Sequence, residues 1–421
     1  MKATIPKFTV TKEYFLLLFP LFYVLNRFVE NYPLVSLVVA GKVLIIYLLS
    51  FLSLNFLLWL FFKNWRKASV YNFYVMCWYF LFGVLHDFLK NNFDNTIIAK
   101  YTFLLPLIIF SLVFFFIIIR RSTSSFNRFS NYANTLLLIL IAIEIVRLLF
   151  SPISINKPEQ MSNVNSTCDT CSKPDIYLII ADEYAGDKQL REMFEFDNSG
   201  FSTELKKRGF HTIKNPISNY NYTPYSVASL LNMDYLPGIT EKANDQKNRN
   251  TSFTIINKNQ TFDVLRQHEY SFINHSLFDI ADNPAPIDNM FFKTRDKLIT
   301  THTLFGRIKR DLWFNLVTTF KVDYIREQYA MAQVNGNKKL IADLKNTVTT
   351  RTNSPRFVYT HLNMPHYPYT HNRNGQLRST DTILDGNHNN KELYIDYLLY
   401  TNNQLLNIID HILGKNSRPA A

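Results

Sequence analysis

Two neighbouring carboxylates and a hydroxyl group are the residues of this chain best suited to chemistry. Asp182 and Glu183 directly follow a short apolar run, Ile176 to Ala181, which has the composition of a buried strand. About forty residues later a hydroxyl-rich segment containing Thr223 leads into an apolar helix pattern. Two acids at the rim of a buried sheet need a cation or a proton, because an uncompensated buried charge is costly. The pattern therefore predicts acids that hold a divalent metal, which activates a hydroxyl group at the start of the helix as a nucleophile.

The elements that position these residues alternate between strand and helix patterns. Strands are predicted at 175–181, 209–213, 270–275 and 356–361, and helices over 188–208, 224–233, 309–346 and 391–413. Residues 238–260 are polar and pattern-free and are interpreted as a surface excursion. The alternation predicts a largely parallel sheet with helices on both faces. Ligands and metals bind at the carboxyl ends of the strands in such open α/β sheets.

The first 150 residues have a different composition, dominated by Leu, Ile, Phe, Tyr and Val. A helix that crosses a bilayer needs about 20 apolar residues. Five stretches are interpreted as long enough to cross a bilayer, near 14–30, 35–62, 69–89, 101–119 and 132–150, and Pro20, Asn26 and Arg27 interrupt the first. The sequence therefore predicts a membrane domain (1–150), a polar linker (151–173) and a soluble α/β domain (174–421).

Basic residues mark alternate loops of the predicted membrane domain. They precede the first span, separate the second from the third, and separate the fourth from the fifth: Lys2, Lys7, Lys12, Lys63, Arg66, Lys67, Arg120, Arg121 and Arg128. Such loops face the cytoplasm, so five spans place the soluble domain on the extracytoplasmic (periplasmic or extracellular) side of the plasma (inner) membrane. Much of the net charge of +12 then sets topology, and nucleic-acid binding is not predicted.

The three cysteines do not predict a zinc site. Cys77 lies within a predicted span, and Cys168 and Cys171 form a Cys-x-x-Cys in the linker without two further ligands close by. A strained local disulfide and two free thiols both remain open for this pair.

Together these features resemble the alkaline phosphatase and sulfatase superfamily. The plan of 1–150 followed by 174–413 is similar to its membrane-anchored branch, the phosphoethanolamine transferases and lipoteichoic acid synthases. The motifs that carry the resemblance are Asp-Glu at 182–183, Asp-Asn-Ser at 197–199, Thr-x-x-Ser at 223–226 and His-x-x-x-Pro-His-x-Pro at 361–368. The resemblance implies an α/β alkaline-phosphatase-like fold beyond the membrane domain.

The resemblance also implies roles for individual residues. Glu183 is similar to the family's first metal-ligating acid, with Asp182 as its neighbour or substitute. Thr223 resembles the nucleophile, which is itself a metal ligand, and Ser226 is assigned to substrate binding and is the alternative nucleophile. His366 resembles the substrate-site histidine, which steadies the phosphate or protonates a leaving oxygen. The implied cofactor is a divalent metal, zinc or manganese first, with calcium and magnesium as alternatives.

Two departures from the family pattern bear on function. Sulfatases carry Cys or Ser followed by Pro two positions later and Arg four positions later, whereas Tyr225 and Val227 follow Thr223 here, so sulfate ester hydrolysis is disfavoured. In the family a further core strand ending in Asp-His follows the closing helix, and we expect that strand to begin where this chain ends. The Asp410-His411 pair lies inside a helix pattern. The domain is therefore expected to be incomplete at its C-terminus, with about half of the metal ligands.

The expected function is a membrane-anchored phosphotransferase or hydrolase of phosphate esters. It would move a phospho-substituted headgroup from a membrane lipid onto a surface glycan or lipid through Thr223, with phospholipid or surface glycan as substrate. His361 is interpreted as a structural residue at a strand end. A catalytically inactive or truncated relative that serves as a binding or scaffold module is the alternative, and completion of the site by another chain also remains open.

Overall fold

A computed structural model describes residues 12–150 except 33, 94 and 95, residues 173–236, residue 239, residues 246–287 except 282, and residues 295–421 except 321, 386, 387 and 417. The helices are α1 Phe15–Glu30, α2 Leu37–Phe62, α3 Trp65–Phe93, α4 Tyr101–Arg121, α5 Asn127–Leu149, α6 Asp187–Phe194, α7 Ser199–Lys207, α8 Thr223–Asn232, α9 Gln246–Asn257, α10 Gln260–Gln267, α11 Asp296–Thr300, α12 Leu304–Asp311, α13 Trp313–Thr319, α14 Asp323–Thr349, α15 Thr380–Leu384 and α16 Lys391–Lys415. The strands are β1 Ile176–Ala181, β2 Ser271–His275 and β3 Arg356–Leu362. The chain divides into two compact units, Met1–Ser154 with Phe291–Leu316, and Ile155–Met290 with Val317–Ala421.

Four helices of the first unit, α2 to α5, are long and apolar enough to cross a membrane. This confirms four of the five predicted apolar stretches as helices of membrane-spanning length. The first stretch forms α1, which has 16 residues and is therefore about 24 Å long, shorter than the hydrocarbon core of about 30 Å.

Helix α1 is held inside this unit by aromatic and polar contacts. Phe19 and Tyr23 pack against the fully buried Phe80 of α3. Asn26 donates a hydrogen bond to Glu144 of α5 (2.9 Å), and Glu144 also pairs with Arg147 (2.9 Å). Of the polar residues that interrupt the apolar run of α1, Asn26 thus has a partner on α5, whereas Arg27 pairs with Glu30 of α1 itself (2.8 Å).

The three basic segments of the first unit lie at one end of the helices. Arg66, between α2 and α3, pairs with Glu13 ahead of α1 (2.6 Å) and donates to the carbonyl oxygen of Ser125 between α4 and α5 (3.3 Å). Lys67 donates to the carbonyl oxygen of Arg120 (3.2 Å). These contacts bring together the loops that carry the predicted topogenic charge.

A later segment, α11 and α12, also belongs to the first unit, although the sequence predicts 174–421 as one domain. The N–H of Gly83 in α3 donates to the carbonyl oxygen of His302 (3.0 Å), and a Cβ atom at Gly83 would lie 2.1 Å from that oxygen. The buried Arg307 of α12 pairs with Asp87 of α3. A glycine is required at position 83 because the two backbones meet there.

The second unit is built around a parallel sheet with the strand order β1-β3-β2. Val358 and Leu362 of β3 pack into a core formed with α14 and α16. On the other face Phe357 contacts Phe262 of α10 and Phe272 of β2. All of β3 is buried. The structure thus confirms a small parallel sheet of three strands with helices on both faces.

Three local predictions in the second unit are wrong. Residues 209–213 form no strand, and the predicted helix over 188–208 is two helices, α6 and α7. Glu195 ends α6 in the left-handed conformation, with φ of 52°, which stops helix propagation. Residues 246–257, inside the predicted surface excursion, form α9, whose Ser252 and Ile256 are buried.

A buried ion pair joins Asp175, which precedes β1, to Arg356, the first residue of β3. Arg356 and Asp175 are 1% and 0% exposed, and the guanidinium and backbone N–H of Arg356 both bond to the Asp175 carboxylate (2.6–3.0 Å). Pro419, Ala420 and Ala421 run parallel to the start of β1, with hydrogen bonds to Asp175 and Tyr177. The pair thereby fixes the register that brings the ends of β1 and β3 level.

Replacing Asp175 with alanine is expected to destabilise the second unit by about 3–5 kcal/mol, because it leaves the Arg356 guanidinium buried without its counter-charge. Denaturant unfolding of the detergent-solubilised chain, followed by tryptic cleavage after Arg356, measures the change. Asp410→Ala is the control, since it removes a carboxylate from an exposed pair with Arg208 and is expected to have a much smaller effect. Equal effects of the two variants would contradict the prediction.

Candidate functional site

The acid pair lies at the carboxyl end of the sheet, where the strand-end pattern predicts it. The N–H of Asp182 donates to the carbonyl oxygen of Leu362 (3.0 Å), which extends the β1–β3 ladder by one bond. Glu183 then adopts the left-handed conformation with φ of 59°, which is unfavourable for a residue with a Cβ atom. The hydroxyl of Tyr394 holds this turn by donating to the Glu183 carbonyl oxygen (2.9 Å) and accepting from the N–H of Ala185 (3.0 Å).

Thr223 is the first residue of α8 and contacts the first acid. Its hydroxyl donates a hydrogen bond to Oδ1 of Asp182 (3.2 Å). The helix is anchored by the buried side chains of Pro224, Val227, Ala228 and Leu231, whose spacing matches an apolar helix face. Tyr222 stacks edge-on against Tyr225 (4.9 Å between ring centroids), so the residue ahead of Thr223 is also fixed.

His361, at the end of β3, faces the other oxygen of the same carboxylate. Its Nε2 atom lies 3.6 Å from Oδ2 of Asp182, and its side chain is fully buried. The Nδ1 atom is hydrogen-bonded to the hydroxyl of Tyr359 (3.0 Å). Within the part of the chain that the structure describes, Nε2 has no hydrogen-bond partner. Residue 361 is in register with Ile180 of β1, which places it level with the acid pair.

The surroundings of Asp182 favour its ionised form. Burial raises the pKa of this carboxyl group, but the neighbouring His361, then His366 and the Thr223 hydroxyl, lower it by more. The net result is a pKa below the ordinary value. Asp182 is therefore a carboxylate at neutral pH, suited to bind a cation and too weak a base to deprotonate a hydroxyl group by itself.

Glu183 contacts a different partner, His366. Nε2 of His366 lies 3.1 Å from Oε1 of Glu183, and Nδ1 bonds to the carbonyl oxygen of Tyr367. The loop that carries His366 is clamped by α14, because Gln333 donates to the carbonyl oxygens of Asn363 (2.7 Å) and His366 (3.0 Å). An imidazolium at this position donates at both nitrogens, so Nε2 can present a proton beside the acid pair.

Ser226 lies one turn along α8 from Thr223 and does not share the contact with Asp182. Its hydroxyl is hydrogen-bonded to that of Ser218 (2.9 Å), in the loop that leads into the helix. The structure thus brings together Asp182 with Thr223 and Glu183 with His366, and it leaves Ser226 in a separate hydroxyl pair.

Two other sequence features have structural roles. Asp197 accepts hydrogen bonds from the N–H and hydroxyl of Ser199, and Asn198 is linked to Tyr184 and Asn402 (2.8 Å each). The Asp-Asn-Ser motif therefore ties the start of α7 to α16. Asp410 and His411 lie within α16, as their helix pattern predicts. Cys168 and Cys171 lie outside the described residues.

The donor atoms around Asp182 fit a small divalent ion. Metal ligands lie about 2.0–2.2 Å from zinc, so two ligands at an angle of about 120° are separated by about 3.6 Å, the distance between Oδ2 of Asp182 and Nε2 of His361. The described residues contain no group of three His, Cys, Asp or Glu side chains that could hold a metal. Any three-ligand site on them therefore depends on a hydroxyl ligand such as Thr223.

Sequence reasoning missed His361 and Tyr394 as site residues. His361 carried a usable signal, because the last residues of adjacent parallel strands meet at one edge of the sheet. Tyr394 carried none: it comes from the middle of a helix pattern more than 200 residues after Glu183, and only tertiary packing brings it to the turn.

Under the role that the sequence predicts for His366, replacing it with asparagine is expected to lower kcat for phosphate ester cleavage by about 10²-fold, because the proton for the leaving oxygen is lost. The loss should shrink for a substrate with a phenolate leaving group, which needs no proton. His371→Asn is the matched control, since His371 stacks on Tyr400 (4.3 Å) and not on the acid pair. A loss independent of the leaving group would assign His366 to binding alone.

No protein-family model, no curated protein and no solved structure matches this chain.

Proposed function

We propose that the protein is a membrane-anchored, metal-dependent transferase or hydrolase of phosphate esters, with an alkaline-phosphatase-like catalytic domain and Thr223 as its nucleophile. One observation carries the proposal: the Thr223 hydroxyl donates to an ionised carboxylate, 12% exposed, at the carboxyl end of a parallel sheet. This is the place where open α/β sheets bind ligands.

Asp182, Thr223 and Glu183 are the proposed metal ligands, with zinc or manganese preferred over calcium or magnesium. A bound divalent ion supplies Lewis acidity, which lowers the pKa of the threonine hydroxyl and stabilises negative charge on the phosphoryl oxygens. Asp182 is already ionised and in contact with Thr223. Glu183 is paired with His366, so the Glu183 side chain must rotate away from His366 to bind the metal.

The proposed reaction has two displacements at phosphorus. In the first, the Thr223 hydroxyl releases its proton to solvent and Oγ1 forms a bond to phosphorus while the bond from phosphorus to the leaving oxygen breaks, and His366 Nε2 gives its proton to that oxygen. In the second, a hydroxyl group of the acceptor or a water molecule attacks phosphorus and gives its proton to His366, while the bond from phosphorus to Oγ1 breaks and Thr223 regains a proton from solvent. His366 thus serves as acid and then as base, which microscopic reversibility favours.

The membrane unit supports a lipid as the donor substrate. Four helices of membrane-spanning length keep the protein at a bilayer, where phospholipids are abundant. The clustered basic loops favour a cytoplasmic location for that end of the helices. The proposed location is accordingly the plasma (inner) membrane, with α1 as a fifth span and the second unit on the extracytoplasmic side. Surface glycan or lipid is the proposed acceptor.

The proposal is tested with the whole chain in proteoliposomes. Vesicles of phosphatidylethanolamine and phosphatidylglycerol are supplied with zinc or manganese, and released headgroup is measured with and without chelator. Metal-dependent release of headgroup supports the proposal. Absence of release from both lipids with both metals, in protein that binds zinc, would reject it.

A non-catalytic binding module is the second candidate. It is favoured by the finding that the described residues offer no group of three His, Cys, Asp or Glu ligands. Such a module would retain affinity for phosphate or lipid headgroups without turnover. Binding of the same vesicles with no zinc uptake, together with absence of headgroup release, would select this function.

A further inference from the structure

His361 is a buried side chain of the second unit, and packing alone does not explain its polar contacts. It is fully buried, next to Tyr359 on one side and Phe278 on the other (5.7 Å between ring centroids). One ring nitrogen is hydrogen-bonded and the other has no hydrogen-bond partner among the described residues. A buried polar atom left in this state costs about 1–3 kcal/mol, so its presence needs a reason.

The distance to Asp182 excludes an ordinary hydrogen bond as that reason. N–H···O bonds span about 2.7–3.2 Å, whereas Nε2 of His361 and Oδ2 of Asp182 are 3.6 Å apart. Nε2 therefore faces a carboxylate oxygen across a gap that a cation bound to both atoms would fill. A spacing of about 3.6 Å is what two ligands of one ion have at an angle of about 120°.

The support behind the ring matches that of histidine ligands in metal sites. Such a ligand commonly uses its second nitrogen in a hydrogen bond that fixes the ring, and the Tyr359 hydroxyl provides that bond. Tyr359 is itself fully buried, so the surrounding packing fixes the hydroxyl group that orients the ring.

We propose that Nε2 of His361 is a metal ligand, beside Oδ2 of Asp182 and with Thr223 on the other carboxylate oxygen. This inference rests on the proposed function and adds a ligand to it. It also narrows the choice of metal: an imidazole nitrogen suits zinc better than manganese, calcium or magnesium, which prefer oxygen ligands.

The test uses variants that separate the two ring nitrogens. His361→Asn keeps a polar atom near the Nδ1 position, where it can still bond to Tyr359, and removes Nε2. His275→Asn is the matched control. His275 ends the neighbouring strand β2, is also buried, and has its Nε2 bonded to Thr347 (2.8 Å). The whole chain in detergent is stripped with chelator and titrated with zinc, with unfolding temperature as a second readout.

The inference predicts that wild type and His275→Asn bind one zinc ion with equal affinity. His361→Asn is expected to bind zinc at least about 100-fold more weakly, and zinc should raise its unfolding temperature far less than that of the wild type. Zinc affinity of His361→Asn equal to that of the wild type would overturn the ligand assignment and leave the proposed function intact. A wild-type protein that binds no zinc would reject the metal-dependent function itself.

A second variant covers the case in which His361→Asn does not fold. His361→Gln fills the space with an amide whose oxygen lies near the position of Nε2. It is expected to lose the preference for zinc over magnesium by about 10-fold or more, because an oxygen replaces the nitrogen ligand. An unchanged ratio of zinc to magnesium affinity in this variant would contradict the inference.

Discussion

Alanine in place of Thr223 is expected to lower headgroup release by about 10³-fold or more, the scale of loss when an enzyme loses its nucleophile. The hydroxyl of Thr223 is the group that contacts the ionised Asp182, and alanine has no atom to form the bond to phosphorus. The measurement is kcat with vesicles of the donor lipid at saturating zinc. Zinc binding should weaken as well, because the hydroxyl is also a proposed ligand.

Two further variants make this test specific. Thr223→Ser keeps the hydroxyl and is expected to retain measurable turnover. Ser226→Ala removes the alternative nucleophile, whose hydroxyl is bonded to Ser218, and is expected to leave kcat within about threefold of the wild type. Full activity in Thr223→Ala with lost activity in Ser226→Ala would transfer the nucleophile role to Ser226.

Asparagine in place of Asp182 is the second large change. It is expected to lower both zinc affinity and kcat by about 10²-fold or more, because a metal ligand in an activated-nucleophile site contributes several kcal/mol. The carboxylate is shared by Thr223 (3.2 Å) and His361 (3.6 Å), and a neutral amide supplies neither the charge nor the second oxygen. Zinc titration and turnover on the same preparation measure the two losses.

Asp197→Asn is the control for this prediction. Asp197 is an acid in the same stretch of chain, and it accepts its hydrogen bonds from Ser199. It should keep both zinc affinity and kcat. If Asp182→Asn loses turnover and binds zinc as the wild type does, Asp182 acts on Thr223 directly and the metal lies elsewhere.

The strand β1 was predictable because it is a contiguous and mostly apolar run, whereas β2 and β3 combine aromatic and β-branched residues with polar ones. The predicted strands at 175–181, 270–275 and 356–361 correspond to β1, β2 and β3 within one residue at each end. The predicted helix over 391–413 corresponds to α16, Lys391–Lys415. In these segments local composition and tertiary burial favour the same structure, so the pattern alone was sufficient.

The errors arose where local pattern and tertiary structure differ. The predicted helix over 188–208 breaks at Glu195, whose left-handed conformation has no signal in the residue type. The stretch 246–257 is rich in Asn and Thr, which have low helix propensity, yet it forms α9 because Ile256 and Ser252 are buried in the fold. Propensity cannot report such packing.

The candidate site was predictable where it depends on strand ends. Asp182 and Thr223 were identified from their positions after a strand and before a helix, and the structure has them in contact. The relation of Glu183 to His366 and of His361 to Asp182 depends on the register of β1 and β3. That register is set by the buried pair of Asp175 and Arg356, which sequence alone does not reveal.

The role of Thr223 as the nucleophile is tested most directly by locating the covalent modification that forms during turnover. The whole chain is mixed with donor-lipid vesicles and zinc, quenched in acid within one turnover, digested and analysed by mass spectrometry. We predict a phospho-headgroup adduct on the peptide that contains Thr223, localised to that residue and absent when zinc is withheld. Turnover with the adduct on another residue, or with none at any quench time, would contradict the account.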